Sequence, residues 1–201
     1  LLACLLVPSR AISAETREND AQAEKAAAEV APFVIARVIP LTDFEKRSLQ
    51  TLLRSPQDLD ALLKLAFILG GEVRRDEQAA PFVAQFNAFL KAVTPAVEVE
   101  KDPWRKGFVL FKRMHKDLFG TDENAPSLKN YDFYQTRPDI VLKTKRYNCQ
   151  SGAILYGLAA AHFGFEVKGL RMPEHVFLEM GYPGWDKRVE IETTSVLGFD
   201  W

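Results

Sequence analysis

A single thiol in the second half of the chain is the residue best suited to chemistry. Cys149 opens the apolar segment 149–163, which Asn148 is well suited to cap as a helix. The first turn of a helix carries a partial positive charge, and Lys145 and Arg146 add basic side chains just upstream. These surroundings favour the thiolate, which is the nucleophilic form of cysteine. The competing interpretation is a small apolar side chain in the core.

Three histidines are available as a base for this thiol. His115 falls in the middle of a predicted helix, where we expect it to be solvated or partly packed. His162 falls in the last turn of the Cys149 helix, about 20 Å from the thiol along the helix axis. His175 opens a predicted strand, from which its side chain could project towards a helix packed on the sheet. We therefore expect His175 to be the base.

The segment RVEIETTS supplies an acid to orient the base, because alternation along a strand places Glu190 and Glu192 on one face. A two-residue turn at Pro183-Gly184 would pair His175 with Glu192 directly across the hairpin. A four-residue loop would instead place Glu192 opposite Phe177, as a diagonal neighbour of His175. The longer loop is favoured, since Pro-Gly prefers a type II turn that splays hairpin strands. A shift of one residue would return both glutamates to a solvated face.

The elements that must position these residues begin with a series of predicted helices. Thr42 and Glu45 form a capping box, Ser55-Pro56 opens a second helix, and Gly70-Gly71 ends it. Segment 81–93 has apolar residues at helical spacing and predicts a third helix. Asp102-Pro103 opens a fourth. The predicted helical segments are 44–53, 57–69, 81–93 and 104–119.

The second half of the chain combines one helix with short strands. A polar, aromatic connection follows Gly120 and leads to a short helix or turn at 139–143. The Cys149 helix comes next. Three strand candidates follow it, at 165–171, 175–182 and 187–194. This order predicts an α+β fold, in which an N-terminal helical region precedes a Cys149 helix packed on an antiparallel sheet.

The first residues predict an export signal. The apolar start is followed by small residues near Ser13 and Ala14, which is typical of a signal-peptide cleavage site and predicts a periplasmic or secreted protein. It is too short for an integral membrane span. Lipidation of Cys4 is the weaker alternative, because further apolar residues follow it. We divide the chain into a signal-peptide remnant (1–14), a helical region (15–120) and a core that we expect to be incomplete at its C-terminus (121–201).

Composition excludes several classes of protein. Of the 201 residues, 47% are apolar and 26% are charged, which is ordinary for a globular protein. The 26 basic and 27 acidic residues give a formal net charge of −1, so we expect no nucleic-acid partner. With only Cys4 and Cys149, a disulfide scaffold or a thiolate zinc cluster is excluded.

The ordered motifs KRYNCQSG, PEHVF and VEIETTS resemble the transglutaminase-like superfamily, in the form of a bacterial exported member. In that pattern Cys149 matches the nucleophile and His175 matches the general base. Glu192 stands where the family most often has Asp before a small residue and Thr. The resemblance covers the last 55 to 60 residues, and the helical first half matches no family that we recognise.

The resemblance implies a papain-like mechanism, in which the thiolate forms an acyl-enzyme that water or an amine resolves. Its substrates would be peptide bonds or the carboxamides of Gln and Asn in a peptide or protein, with no metal and no cofactor. Backbone N–H groups near Cys149 and Gln150 would face the oxyanion, and Tyr147 and Arg146 are candidate substrate-binding neighbours. The alternative is an inert binding module of the same fold, whose helical region contacts a protein partner.

Overall fold

A computed structural model of the chain describes residues 40–119 and 133–200. The predicted signal-peptide remnant, Cys4 and most of the connection after Gly120 lie outside the described residues. From Leu41 onward, the described residues belong to one compact unit.

Within that unit, six α-helices precede a three-stranded sheet in the part of the chain that the structure describes. A π-helical turn, Met114–Phe119, continues the fourth helix, and a 3-10 turn, Phe133–Thr136, precedes the fifth. The helices are α1 (Asp43–Arg54), α2 (Leu59–Gly70), α3 (Asp76–Glu98), α4 (Pro103–Arg113), α5 (Pro138–Thr144) and α6 (Cys149–His162).

Local hydrogen bonds begin and end these helices at several of the predicted residues. The Thr42 hydroxyl accepts the Glu45 N–H at 3.2 Å, while the Glu45 carboxylate accepts the Thr42 N–H at 2.6 Å. Asp102 caps α4 by accepting the Arg105 N–H at 2.9 Å. Gly71 ends α2 with a φ of 84°, a conformation that glycine adopts without strain. These helix boundaries confirm the sequence prediction.

Two helix boundaries differ from the prediction. Helix α2 begins at Leu59 and not after Pro56, because Asp58 accepts the Ala61 N–H at 2.8 Å and is the N-cap. Helix α3 extends well beyond 81–93 and contains Pro81 and Pro95. Its buried stripe continues to Val97, and packing of that stripe outweighs the unfavourable helix propensity of proline.

The helices and the sheet share one core. Tyr156 of α6 is fully buried, and its hydroxyl donates to the Gly107 carbonyl oxygen of α4 at 3.2 Å. The same hydroxyl lies 3.6 Å from the Met180 sulfur in the sheet. Since these contacts join the helical half to the sheet, the site is built on a single packed unit.

His115 is also part of this core, whereas the sequence predicted a solvated or partly packed residue. The side chain is 3% exposed and lies between Phe111 and Phe119, with ring centroids 4.5 and 5.4 Å away. Its Nδ1 lies 3.5 Å from the Tyr147 hydroxyl. Burial, with a smaller contribution from the charge of Lys112, lowers the pKa of His115 to about 4. The physical reason for the difference is that His115 lies within the buried stripe formed by Leu110, Phe111, Met114, Leu118 and Phe119.

The sheet is antiparallel, with strand order β1-β2-β3. Its strands are β1 (Glu166–Met172), β2 (His175–Gly181) and β3 (Val189–Ile191). Leu178 pairs with Ile191, so the register is the one predicted for the longer loop. The third strand is shorter than predicted because the chain turns after Ile191. Helices followed by a small antiparallel sheet confirm the α+β class.

One face of the sheet packs on α6. An added Cβ on Gly157 of α6 would lie 3.6 Å from Val167 and 3.9 Å from Leu178. Alternation then turns Phe177 to the opposite face. The His175 ring stacks over Phe177 with a centroid distance of 6.5 Å, so His175 lies on that opposite face too. The expectation that its side chain projects towards the helix packed on the sheet is therefore wrong, because alternation along β2 turns Leu178, and not His175, towards α6.

Candidate active site

His175 and Glu192 form a hydrogen-bonded pair at one end of the sheet. His175 Nε2 contacts Glu192 Oε2, and the two side chains are 30% and 12% exposed. Extending the register beyond Ile191 places Glu192 opposite Phe177, and therefore diagonal to His175. The structure thus brings together the predicted base and the predicted acid.

The second oxygen of the Glu192 carboxylate is held by Thr194. Oε1 accepts the Thr194 backbone N–H at 2.8 Å and the Thr194 hydroxyl at 2.6 Å. When the Glu192 carboxylate is ionised it can only accept hydrogen bonds, and His175 Nε2 is then the donor to Oε2. The His175 tautomer with its proton on Nε2 leaves the lone pair of Nδ1 available as a base.

Glu192 begins a tight loop that returns to the sheet. The Glu192 N–H donates to the Gly198 carbonyl oxygen at 2.7 Å, and Ile191 then pairs with Phe199. An added Cβ on Gly198 would overlap the Glu192 backbone, which explains why glycine stands there. The loop backbone is therefore held at both of its ends, close to the carboxylate.

Cys149 is the first residue of α6, as predicted, and is a free, half-buried thiol. The Asn148 side chain accepts the Gln150 and Ser151 N–H groups at 3.1 and 3.2 Å. The Ser151 hydroxyl in turn accepts the Asn148 N–H at 3.2 Å. This reciprocal cap defines where the helix begins and thus places Cys149 at the positive end of the helix dipole.

The start of α6 touches the loop that carries the acid. Thr193 is fully buried, and its hydroxyl would lie 2.6 Å from a Cβ added to Gly152. Gly152 is one turn beyond Cys149, so the helix start and the His175–Glu192 pair lie at the same end of the sheet. No hydrogen bond joins Cys149 to His175 within the described residues. Because His175 lies on the face of the sheet opposite α6, the described contacts do not bring the Cys149 thiol and the His175 ring together.

The remaining predicted site residues have different surroundings. The Gln150 N–H donates to the Asn148 side chain, and its proposed place at the oxyanion stays a prediction. Tyr147 is 2% exposed and stacks on Phe119 at 4.2 Å, so its ring belongs to the core and not to an open site wall. Arg146 is exposed.

Glu190 is not the partner of His175. It is exposed and lies opposite Glu179, which itself pairs with Lys168 at 3.3 Å. Of the two predicted carboxylates, the structure selects Glu192.

Thr193 and Thr194 are the site residues that sequence reasoning missed. The motif ETT contained the signal for one of them, because a Thr hydroxyl two residues after a carboxylate can bond to it locally. The contact between Thr193 and Gly152 depends on helix packing and has no local signal.

Residues 40–119 and 133–200 contain no group of three or more His, Cys, Asp or Glu side chains arranged to hold a metal ion. In the same ranges, every helix is too short or too polar to cross a membrane.

Comparison with known proteins gives no relative. No family model matches the chain, and no curated protein and no solved structure is significantly similar to it.

The contact between Gly152 and Thr193 predicts a stability effect that is specific to its place on α6. Gly152→Ala is expected to lower the free energy of unfolding by about 1–3 kcal/mol, because the new methyl group overlaps Thr193. Gly157→Ala on the same helix meets only ordinary contacts, and it should raise that free energy by about 0.5–1 kcal/mol through helix propensity. Urea unfolding of both variants measures the difference, and equal shifts in the same direction would contradict the contact.

Proposed function

We propose that the protein is a transglutaminase-like cysteine hydrolase or acyltransferase that acts on amide bonds of peptides or of Gln and Asn side chains. The observation that carries the proposal is the His175–Glu192 pair, in which the acid occupies Nε2 and leaves Nδ1 as the base. Cys149 at the start of α6 supplies the nucleophile.

The reaction follows from the roles of these three residues. His175 Nδ1 takes the thiol proton, and the Cys149 sulfur bonds to the amide carbon to form a tetrahedral oxyanion. The oxyanion collapses, the carbon–nitrogen bond breaks, and the proton on Nδ1 passes to the leaving amine. Glu192 keeps the second ring proton on Nε2 and stabilises the imidazolium while both nitrogens carry protons.

A second half-reaction releases the acyl group. Water or an amine gives a proton to Nδ1 and attacks the thioester carbon, and the thiolate leaves and recovers the proton. Hydrolysis and amine transfer share every residue and differ only in the nucleophile.

The Cys149 N–H is the proposed donor to the oxyanion. The first N–H groups of a helix have no partner within the helix, and they point towards its positive end. The Gln150 and Ser151 N–H groups donate to the Asn148 side chain. The Cys149 N–H is therefore the donor that this cap does not use.

The order of residues along the chain supports the same class. Cys149, His175, Glu192 and Thr194 follow one another as the resembled family orders its nucleophile, base, acid and threonine. The apolar start of the sequence supports export, so we propose a periplasmic or secreted enzyme.

A second candidate is an inert binding module of the same fold, and the observation that favours it is that the Cys149 thiol makes no hydrogen bond to His175 within the described residues. Such a module would bind peptides without turning them over, and binding would survive Cys149→Ala.

Trapping of the acyl-enzyme separates the two functions. The protein is incubated with peptide amides and with Gln-containing peptides, with and without a primary amine, and is quenched in acid for intact-mass analysis. The enzyme should show an acyl adduct that maps to Cys149 and is discharged by the amine. Cys149→Ala should show neither adduct nor product. Peptide binding by the parent protein without any adduct or product would favour the binding module.

A further inference from the structure

We propose that Thr194 is a positioning residue, whose hydroxyl holds Glu192 so that the carboxylate selects one tautomer of His175. The inference deepens the proposed function, on which its kinetic part rests. Thr194 hydrogen-bonds to Glu192, and it acts on His175 through that carboxylate.

The geometry divides the Glu192 carboxylate between two partners. Oε1 accepts both Thr194 donors, at 2.8 and 2.6 Å, and Oε2 faces His175 Nε2. With Oε1 occupied twice, the carboxylate has one free oxygen to offer the ring. Hydrogen bonds to an ionised group are among the stronger ones in proteins. The Glu192 side chain is only 12% exposed, so solvent weakens its hydrogen bonds little.

The length of the acid gives this restraint its importance. Glu has one more rotatable bond than Asp, so an unrestrained Glu192 would sample more positions around the imidazole. The backbone of Glu192 is held by Gly198, and Thr194 restrains the far end of the side chain. The two restraints therefore act at opposite ends of the Glu192 side chain.

The Thr194 hydroxyl is the separable part of the restraint. The backbone N–H of residue 194 remains in every variant, whereas Thr194→Val removes the hydroxyl at nearly constant shape. Thr194→Ser keeps the hydroxyl and removes only a methyl group. A difference between these two variants therefore reports on the hydrogen bond.

Nitrogen-15 NMR of histidine-labelled protein tests the inference without any substrate. The ring nitrogen shifts are read at about pH 8.5, above the usual titration range of histidine, with His175→Ala identifying the resonances. Parent protein and Thr194→Ser should show the Nε2–H tautomer. Thr194→Val and Glu192→Gln should raise the fraction of the Nδ1–H tautomer by about threefold or more. Ser195→Ala, in the same loop, should leave it unchanged.

Kinetics form the second arm. Thr194→Val is expected to lower kcat by about 10- to 100-fold with little change in KM, and Thr194→Ser should restore most of it. An unchanged tautomer in Thr194→Val would overturn the inference. An equal loss of kcat in Thr194→Val and Thr194→Ser would overturn it too. If Val fails to fold, Thr194→Ala is read in the same way. A changed tautomer in a protein without turnover would retain the positioning role and reject the enzyme.

Discussion

His175→Ala is expected to lower kcat/KM for amide cleavage by about 10²- to 10⁴-fold, which is the usual contribution of a general acid–base residue. The variant removes both the acceptor of the thiol proton and the donor to the leaving amine. Alkylation of Cys149 at neutral pH should also slow, because the thiol loses the base that takes its proton. Steady-state kinetics and iodoacetamide labelling measure the two effects.

His162→Ala is the matched control for this experiment. His162 is exposed in the last turn of α6, at the opposite end of the helix from Cys149. Both rates should remain at the level of the parent protein in this variant. Cys149 labelling that is equal in the parent and in His175→Ala would show that His175 does not act on the thiol.

Acid is expected to destabilise the protein through His115. The pKa of His115 is lowered from 6.5 to about 4 in the folded state by burial, so between these values the unfolded chain binds the extra proton. The stabilisation is complete above pH 6.5 and is lost as the pH falls towards 4. This difference corresponds to about 3 kcal/mol of the free energy of unfolding.

Urea unfolding at several pH values between 7 and 4 measures this loss. His115→Gln should flatten the pH dependence in that range, whereas His162→Gln should leave it as steep as in the parent protein. The acids Glu45 and Asp76 have pKa values lowered by hydrogen bonds to Thr42 and Arg47, so their contribution appears at more acidic pH. A parent protein with constant stability down to pH 4.5 would contradict the buried, neutral His115.

The predicted elements that the structure confirms share a physical feature. The caps at Thr42, Asp102 and Asn148 each satisfy N–H groups two or three residues away, so the signal and its effect lie in the same short segment. The hairpin register followed from the turn preference of Pro183-Gly184, which favours the longer loop. Such short-range patterns are readable without knowing how the chain packs.

The differences arise where packing between distant segments decides. The extension of α3 through two prolines depends on a stripe buried by other elements. The burial of Tyr147 depends on its stacking against Phe119, and His115 is covered in turn by Tyr147. In each case, contacts far apart in sequence outweigh a local preference.

The candidate site divides in the same way. The sequence by itself determined the capped helix that begins with Cys149, the strand that begins with His175, and the face shared by Glu190 and Glu192, because each rests on short-range hydrogen bonding or alternation. Only the tertiary structure decided that Glu192 is the partner of His175. It also decided that the Thr194 hydroxyl hydrogen-bonds to that carboxylate and that Thr193 packs against Gly152 of α6. These choices required closure of the loop 192–198 and packing of the sheet on the helix, and neither can be read from residue types and spacing alone.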